Sequence, residues 1–482
     1  MNKRLVVRIL GAILLIEALA MAPSLIISYI YGDGDMKAIA LSIAILCVVG
    51  LPMWQLSRPR DANLRAREGF VVVALAWVLL SLFGALPFVF SGVIPNYVDA
   101  VFETVSGFTT TGASIMPQIE GQPHGVVFWR SFTHWIGGMG VLVFMLALLP
   151  KMTGRTSHLM RAESPGPSLS KIVPKLGDTA KILYLIYAVL TVILFIALLI
   201  AGLNPFDAAI HAVGTAGTGG FSNYALSVGA FNSAAVDIII TVFMALFGIN
   251  FALYYTILIG GWRDALKSEE LHWYLGFFGF SMVFIALQLL PKYGNFFTAL
   301  RYSSFQVATV MSTTGFATAD FNLWPQASKM LLLLLMLGGA CAGSTAGGMK
   351  MVRVALLCKN GKREIRRTFQ PRKVQVVRFE GKGVEDGMLS QVGVFFFVYI
   401  ALILLGAFVI SLDGLYDIET NFSAAVACIS NIGPGLGAVG PMGSFAGYSP
   451  FSKIVLSVLM LCGRLELFPI LVLFHPAIWR RG

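Results

Sequence analysis

Charged side chains are scarce in this 482-residue sequence, where Asp, Glu, Lys and Arg together make up 12% of the residues. An average globular protein has about 25%. Hydrophobic residues make up 57%, and the mean hydropathy is +0.79. Several uncharged apolar windows reach the length of about 20 residues that a helix needs to cross a bilayer. The composition excludes an ordinary soluble protein and predicts an integral membrane protein.

Cysteine is also rare, and its positions follow no ligand spacing. There is no CxxC pair and no Cys/His cluster, which argues against a disulfide framework and a structural metal. No nucleophile–base motif and no HExxH pattern stand out. We therefore expect no enzyme activity and no cofactor. The five cysteines are Cys47, Cys341, Cys358, Cys428 and Cys462.

The net charge of +11 comes from Lys and Arg that gather in a few short loops. No basic face with interleaved aromatic residues indicates nucleic acid, whereas short basic loops mark the cytoplasmic side of a membrane protein. The N-terminal apolar run continues to about Tyr31 without a small-residue cleavage site, so we interpret it as a retained span. Pairs of spans begin and end on the basic side, which predicts cytoplasmic termini. The ten predicted spans are 5–31, 36–57, 69–92, 127–150, 182–202, 235–260, 272–290, 327–357, 388–411 and 451–474.

One short stretch rich in small residues occurs four times, as VSGFTTTGAS (105–114), VGTAGTGGFS (213–222), ATVMSTTGFA (308–317) and VACISNIGPG (426–435). Each copy follows an apolar segment too short to cross a bilayer and lies between two spans. Aligned without gaps, the copies place Gly112, Gly220, Gly315 and Gly433 at one position. We predict an all-α integral membrane protein with four span–pore-loop–span repeats around a central pore, preceded by two extra transmembrane helices. The predicted units are 1–68, 69–180, 181–270, 271–387 and 388–482.

The backbone of the repeated stretch indicates what kind of ligand the stretch could bind. A short helix ending in a glycine-rich segment leaves carbonyl groups without helical partners, which is costly in hydrocarbon. A dehydrated cation can be that partner, and the negative end of the helix dipole favours it. The alternative is a packing motif, because small residues let membrane helices approach closely. Four copies in register favour a cation filter lined by oxygen.

A second glycine-rich stretch, GGACAGSTAGG at 338–348 (the glycine break), interrupts the last span of the third repeat. Irregular backbone at membrane depth is buried in protein or lines water, so we expect a flexible plug or, alternatively, a helix kink. Lys350 follows directly and is either an interfacial lysine or part of a gate. Arg464 lies inside the last span, where an arginine needs a partner or water. Pairing with Glu466 is the alternative, weakened because residues two apart do not share a helical face.

These motifs carry a family resemblance. TTTGAS, GTGGFS, STTGFA and NIGPGLG, together with GGACAGSTAGGMK and CGRLELFPILVLF, resemble the Trk/Ktr/HKT superfamily of potassium transporters, and most closely its bacterial TrkH branch. The two extra N-terminal helices also fit that branch. The resemblance implies potassium as the transported ion, and the four filter glycines favour it because serine at the first accompanies sodium permeability in the superfamily. The implied potassium-binding residues are Thr110, Thr111, Gly112, Thr218, Gly219, Gly220, Thr313, Thr314, Gly315, Asn431, Ile432 and Gly433.

The resemblance also implies how the pore is controlled. The glycine break corresponds to an intramembrane loop that gates the pore, and Arg464 to an arginine that acts as an electrostatic barrier in the conduction path. The implied gating residues are Gly338, Gly339, Gly343, Ser344, Thr345, Gly347, Gly348, Lys350 and Arg464.

A low-affinity Trk-type uptake system of the bacterial inner membrane is the implied setting, with a cytoplasmic ring of TrkA-like nucleotide-binding subunits and a homodimer of this chain. The basic loops at 151–181 and 353–382 are either docking surfaces for that ring or anchors that touch anionic lipid. An alternating-access transporter for another cation or solute is the alternative class. It would have inverted repeats, whereas the four units here share one orientation.

Five further polar residues are interpreted without a functional role. Glu103 and Asp207 lie early in short helices and complement the helix dipole, although acids near a cation entrance can also concentrate cations. Arg130, His134 and His211 are interpreted as structural.

Overall fold

The computed structural model describes residues 2–57, 66–140, 176–473 and 476. Over these residues the chain is mostly helical. Its only described strands form a hairpin in the basic segment before the fourth repeat, where Arg378–Phe379 (β1) pairs antiparallel with Lys382–Gly383 (β2).

The N-terminal unit consists of α1 (Lys3–Ala20), α2 (Ala22–Tyr31) and α3 (Met36–Leu56). A Cβ atom added to Gly11 would lie 2.7 Å from the backbone nitrogen of Trp54, so α1 and α3 touch backbone to backbone. Such close contact through small residues is typical of membrane helix pairs. The unit packs against the first repeat.

The four repeats follow one order of elements, which is a long helix, a short pore helix, an extended loop and a second helix. The first repeat contains α4 (Ala66–Gly84), α5 (Leu86–Phe90), α6 (Tyr97–Phe108) and α7 (His124–Gly138). The second contains α8 (Leu176–Ile200), α9 (Pro205–Ala216), α10 (Ala234–Phe247), α11 (Phe251–Leu258) and α12 (Trp262–Leu266). The third contains α13 (Glu269–Tyr293), α14 (Phe296–Met311), α15 (Gln326–Gly338) and α16 (Met351–Phe369). The fourth contains α17 (Asp386–Ser411), α18 (Ile418–Ile429), α19 (Pro450–Arg464) and α20 (Phe468–Leu473).

The pore helices α6, α9, α14 and α18 all begin at a capping side chain. Its oxygen accepts a backbone N–H of the first turn, which satisfies a donor that would otherwise lack a partner. The capping residues are Asn96, Asn204, Asn295 and Asp417. Each cap sets the start of a helix whose other end points at the repeated stretch.

The second helix of each repeat packs against the pore helix of the next repeat. The contacts run from α7 to α9, from α10 to α14, from α15 to α18 and from α19 back to α6. The repeats therefore form a closed ring in chain order. Long helices such as α8 and α17 expose apolar side chains on their outer faces, for example Ile200 and Phe397, as expected for contact with lipid.

The structure corrects the prediction of continuous second spans. In the second repeat, α10 and α11 meet at a 90° bend instead of forming one helix over 235–260. In the fourth, α19 ends at Arg464 and α20 begins at Phe468, which breaks the predicted span 451–474. Glycine lies at each break, as at Gly248 and Gly463, and lowers helix stability there.

The number of long apolar helices in the described residues is smaller than the ten predicted spans. Within the described residues, six helices are long and apolar enough to cross a membrane, or seven if the bent pair is one span. They include the N-terminal helices and the first helix of each repeat. The described second helices α7, α10, α15 and α19 are 13 to 15 residues long. The predicted span 127–150 continues past α7 into residues 141–150, which lie outside the described residues.

Candidate functional site

The four repeated stretches share one backbone conformation. In each, a non-glycine residue adopts a left-handed φ, and the glycine two positions later also has a positive φ. The left-handed region is unfavourable for side chains with a Cβ atom, so its recurrence at the same place indicates a common requirement. The pairs are Thr110 (56°) with Gly112 (78°), Thr218 (53°) with Gly220 (78°), Thr313 (57°) with Gly315 (86°), and Asn431 (55°) with Gly433 (94°).

The left-handed residue also ends each pore helix. The N–H of Thr111 donates to the carbonyl of Ser106 at 2.8 Å, and the N–H of Thr110 donates to that of Gly107 at 3.1 Å. These bonds satisfy carbonyls of the last helical turn, as in a Schellman motif. Equivalent bonds of 2.8–2.9 Å link Gly219 to Gly214, Thr314 to Thr309 and Ile432 to Ala427. The chain then continues as a loop without regular secondary structure.

The four loops close into a ring through their glycines. A Cβ atom built on Gly112 would lie 2.0 Å from the carbonyl oxygen of Gly219 in the second loop. The same relation connects each loop to the next, so any side chain at these positions would strike a neighbouring backbone. The remaining contacts are Gly220 with Thr314 at 2.1 Å, Gly315 with Ile432 at 2.1 Å, and Gly433 with Thr111 at 2.6 Å. The structure thus brings all twelve predicted filter residues together.

The side chains around the ring are unequal. In the first loop, the hydroxyls of Thr109 and Thr111 lie 2.8 Å apart, and in the third those of Ser312 and Thr314 lie 2.7 Å apart. The second loop has glycine at both equivalent positions, 217 and 219. The fourth has Ser430, whose hydroxyl lies 2.6 Å from that of Tyr399. The backbone is therefore close to four-fold, while the side chains behind it are not.

The glycine break lies against the ring. The N–H of Gly347 donates to the hydroxyl of Thr313 at 2.7 Å. A Cβ atom on Gly347 would lie 2.7 Å from the carbonyl oxygen of Ser430, so the break touches the third and fourth loops. Irregular backbone of this kind is buried in protein, as Ala346 (1% exposed) and Thr345 (fully buried) illustrate.

Backbone hydrogen bonds tie the break to the bend of the second repeat. The N–H of Cys341 donates to the carbonyl of Gly248 at 3.0 Å, and the N–H of Phe251 donates to that of Gly343 at 3.0 Å. The hydroxyl of Thr345 donates to the carbonyl of Phe247 at 3.2 Å. The 90° bend between α10 and α11 thus frees backbone groups that bind the glycine break.

The predicted gating residues occupy different parts of the break. Gly338 is the last residue of α15, whereas Gly339, Gly343 and Gly348 have φ between 68° and 71° and turn the chain. Ser344 closes a local turn by donating to the carbonyl of Cys341 at 2.6 Å. Lys350 also has a positive φ, of 72°, is 3% exposed, and its Nζ donates to the carbonyl of Ala346. Lys350 is therefore buried and folded back onto the break.

Glu270 was not found by the sequence analysis, although it links the middle of the break to the first turn of α16. Its Oε1 accepts the N–H of Ala342 at 2.7 Å and the N–H of Val352 at 3.1 Å. The side chain is buried (7% exposed) at the start of α13. A carboxylate can satisfy several unpaired backbone donors. The sequence feature that could have indicated Glu270 is an acidic residue at the start of a long apolar helix.

Arg464 joins the break to the first repeat. Its Nη1 donates to the carbonyl of Thr345 at 2.9 Å, and its Nη2 donates to the carbonyl of Gly138 at 2.6 Å and to that of Gly137. Glu466 binds a different arginine, since its Oε2 lies 2.6 Å from Nη2 of Arg353. Among the described residues, Arg464 and Glu466 therefore form no ion pair with each other, unlike in the alternative interpretation.

Behind the ring, Glu103 does more than complement a helix dipole. It forms a fully buried ion pair with Arg130, with 2.6 Å between Oε1 and Nε. Glu103 also accepts the hydroxyl of Ser114 and the N–H of Ile115, both at 2.9 Å, where the first loop leaves the ring. Arg130 donates to the carbonyl of Ser222 in the second loop at 3.0 Å. The pair thus supports two adjacent loops.

The second acid early in a pore helix, Asp207, binds side chains of its own repeat. Its carboxylate accepts the amide of Asn223 at 2.6 Å and the hydroxyl of Tyr224 at 3.0 Å. His211 lies one turn later, and its Nε2 is 3.0 Å from the hydroxyl of Ser222. These contacts fasten the segment after the second loop to its pore helix.

Comparisons with known proteins agree on one family. The sequence profile of the TrkH family, described as cation transport protein, matches residues 35–291 and 295–481. The chain is 36% identical over 490 residues to the Trk system potassium uptake protein TrkH of Halomonas elongata, with 100% of both chains covered. It is 36% identical over 491 residues to the protein of the same name from Escherichia coli K12, also with 100% of both covered.

A solved structure shows the same fold. The crystal structure of the potassium transporter TrkH from Vibrio parahaemolyticus superposes with a TM-score of 0.90 at 32% identity, covering 100% of both chains. The family consists of transport proteins and not of enzymes. This chain is a multi-pass membrane protein and a member of the TrkH family of cation transport proteins.

Proposed function

We propose that this chain takes up potassium across the inner membrane of a bacterium through a channel-like central pore. The observation that carries the proposal is the closed ring of four loops, each with the same pair of left-handed residues. Relatives that match over the full chain are potassium uptake proteins by name. Oxygen atoms presented from several sides can replace the hydration shell of a potassium ion.

The proposed ion site is formed by carbonyl and hydroxyl oxygens of the filter residues 110–112, 218–220, 313–315 and 431–433. Four pore helices end at the ring, and the negative ends of their dipoles favour a cation there. The Thr110 hydroxyl is buried and has no partner among the described residues, so it is available as a ligand.

Selectivity in this proposal depends on the rigidity of the ring. A Cβ atom added to any filter glycine would lie 2.0–2.6 Å from a carbonyl oxygen of the next loop, so little room is left for the loops to move closer together. Contracting the ring around a smaller cation would require backbone atoms to overlap. This contact supports a preference for potassium over sodium.

We assign gating to the glycine break, Lys350 and Arg464. The break contacts Thr313 at the ring, and Arg464 joins the break to the end of α7. The glycines at 339, 343 and 348 allow the chain to change conformation at low cost. The guanidinium adds a positive charge beside the path, which opposes a passing cation until the break moves.

The remaining features of the proposal concern assembly and topology. The chain forms a homodimer, has cytoplasmic termini and binds a cytoplasmic ring of TrkA-like nucleotide-binding subunits. Its N-terminal unit is 1–68, and its four repeats are 69–180, 181–270, 271–387 and 388–482. The described basic segment, α16 with the following hairpin, supports a docking role because Arg366, Arg367, Arg372 and Lys373 are exposed. The basic loop at 151–175 lies outside the described residues.

Potassium-limited growth tests the transport proposal. The chain is expressed with its TrkA-like partner in a strain that lacks its own potassium uptake systems, and uptake is measured directly. We expect growth at low potassium and uptake driven by the membrane potential. No rescue, with the protein present in the membrane, would overturn the proposal. Rescue by the chain alone would overturn only the requirement for the partner.

A further inference from the structure

The second loop of the ring lacks the side chain that the others carry. Thr111, Thr314 and Ile432 occupy one aligned position, and Gly219 stands there in the second loop. The φ of Gly219 is not positive, so its backbone does not require glycine. A neighbouring group must therefore explain the missing side chain.

The imidazole of His134 fills that place. A Cβ atom built on Gly219 would lie 2.1 Å from Cγ, 2.3 Å from Nδ1 and 2.4 Å from Cδ2 of His134. His134 comes from α7 in the first repeat and is fully buried. The wall behind the second loop is thus supplied by a different repeat.

Both ring nitrogens of His134 are engaged. Nδ1 lies 2.7 Å from the carbonyl oxygen of Gly107 and donates to it, because a carbonyl only accepts. Nε2 accepts the N–H of Phe221 at 3.2 Å. The ring therefore connects the end of the first pore helix to the residue after the second filter glycine, Gly220.

Neighbouring contacts keep His134 in this position. A Cβ atom on Gly217 would lie 2.2 Å from the carbonyl oxygen of His134, so the backbones of α7 and the second loop touch. The guanidinium of Arg130 lies 3.6 Å from the ring centre of Phe221. The contact surface between the first and second repeats is closely packed around this one side chain.

We propose that His134 is a positioning residue for the filter, in which its imidazole replaces the absent side chain of Gly219 and sets the carbonyls of the second loop. This inference rests on the proposed potassium function. It predicts that His134 and Gly219 are coupled, so that the loss caused by changing one is at least partly recovered when the other changes too.

A double-mutant cycle tests the coupling. The variants are His134→Ala, Gly219→Thr and the double variant, with potassium uptake, the potassium-to-sodium flux ratio and thermal stability measured for each. Gly219→Thr alone forces its side chain into the imidazole, and we expect its flux ratio to fall about tenfold, within the range of coupling between residues in contact. His134→Ala leaves a cavity and loses both hydrogen bonds, and we expect a similar fall. The double variant places a threonine in that cavity and should recover at least part of both losses.

His211→Ala serves as the matched control. His211 is equally buried near the same contact surface but bonds the hydroxyl of Ser222 instead of facing Gly219. Combining it with Gly219→Thr should give no recovery. If the Gly219→Thr protein does not reach the membrane, Gly219→Ala is used instead, because its single methyl group tests the same contact.

Additive losses in the double variant would overturn the inference, as would a Gly219→Thr protein that is indistinguishable from wild type. Recovery with His211→Ala would overturn it too. Thermal stability measures the packing around Gly219 and does not depend on which cation the protein transports. Failure of wild-type potassium uptake therefore counts against the proposed function, and failure of thermal recovery counts against the role of His134.

Discussion

The N–H of Gly347 in the glycine break donates a 2.7 Å hydrogen bond to the hydroxyl of Thr313, a residue of the ring. This bond connects the segment to which we assign gating directly to the segment to which we assign selectivity. Thr313 is fully buried and holds a left-handed backbone, so we expect a displacement of the break to affect the ring.

Thr313→Val tests this connection. Valine keeps the shape of threonine but cannot accept the N–H of Gly347, which removes a contribution of about 0.5–1.5 kcal/mol from the arrangement in which the break contacts the ring. We expect basal flux to rise about two- to tenfold, measured as uptake without partner activation. Thr218→Val is the control, since the Thr218 hydroxyl donates to the carbonyl of Gly217 and not to the break. Equal basal flux in both variants would contradict the connection.

Gly112→Ser tests the ring contact. The added Cβ atom would lie 2.0 Å from the carbonyl oxygen of Gly219, so the first and second loops must separate. We expect the potassium-to-sodium flux ratio to fall. Gly121→Ser is matched in backbone, because Gly121 has φ of 79° against 78° for Gly112, but a Cβ there meets nothing within 4 Å. An unchanged ratio in Gly112→Ser, or an equal fall in both, would remove the ring contact from selectivity.

Arg464→Ala tests the link between the break and α7. It leaves the carbonyls of Thr345, Gly137 and Gly138 without this donor and removes a positive charge beside the proposed path. We expect higher basal flux, measured by uptake in the absence of the partner. Glu466→Gln disrupts the neighbouring pair with Arg353 but keeps Arg464, so it should change basal flux less. The same rise in both variants would show that general loosening, not Arg464, controls flux.

Glu103→Gln tests the buried pair behind the ring. It leaves the Arg130 charge buried without its carboxylate, and breaking such a pair costs about 3–5 kcal/mol. We expect a lower melting temperature and less protein in the membrane. Adding Arg130→Met removes the second charge and should restore part of the stability. If the double variant is less stable than Glu103→Gln alone, the hydrogen bond of Arg130 to Ser222 matters more than the pair.

The contact between Asp33 and His124 predicts a pH effect on the stability of the two loops that it joins. Oδ2 of Asp33 accepts the backbone N–H of His124 at 2.8 Å and lies 2.5 Å from its Nδ1. Burial alone would raise the pKa of Asp33, but the hydrogen bonds and charge of His124 outweigh it and lower that pKa. A lowered carboxyl pKa contributes stability above the ordinary value of about 3.9, and this contribution is lost as the pH falls through the lowered pKa.

Melting temperatures of wild type and Asp33→Asn from neutral to acid pH measure that effect. The advantage of wild type should be present above the ordinary carboxyl pKa and disappear as the pH falls through the lowered pKa of Asp33. An advantage that persists below that lowered pKa would mean that Asp33 does not carry the contact as a carboxylate.

Local sequence was sufficient to predict the ring residues. Thr110, Gly112 and their counterparts are recognised because the backbone conformation of each loop depends on its own residues: a capped short helix, a left-handed turn and a glycine. Such requirements repeat with the sequence, so an alignment of the four copies is enough to find them. The glycine break was found for the same reason.

Contacts between repeats could not be predicted this way. The contacts of Gly219 with His134, of Glu270 with Ala342, and of Arg464 with Gly138 join residues far apart in the chain. The breaks at Gly248 and Gly463 were also missed, because a single glycine in an apolar run is compatible with a continuous helix. They become breaks because neighbouring segments bind the backbone groups that the bend frees.

The sequence by itself determined the membrane class, the four repeats and the oxygen-rich loops, since hydropathy and backbone conformation are local properties. Only the tertiary structure decided that the loops close in chain order and that glycine, not a side chain, meets each neighbouring carbonyl. It also decided which buried groups support each loop. Those choices depend on distances between segments about a hundred residues apart, which no local pattern contains.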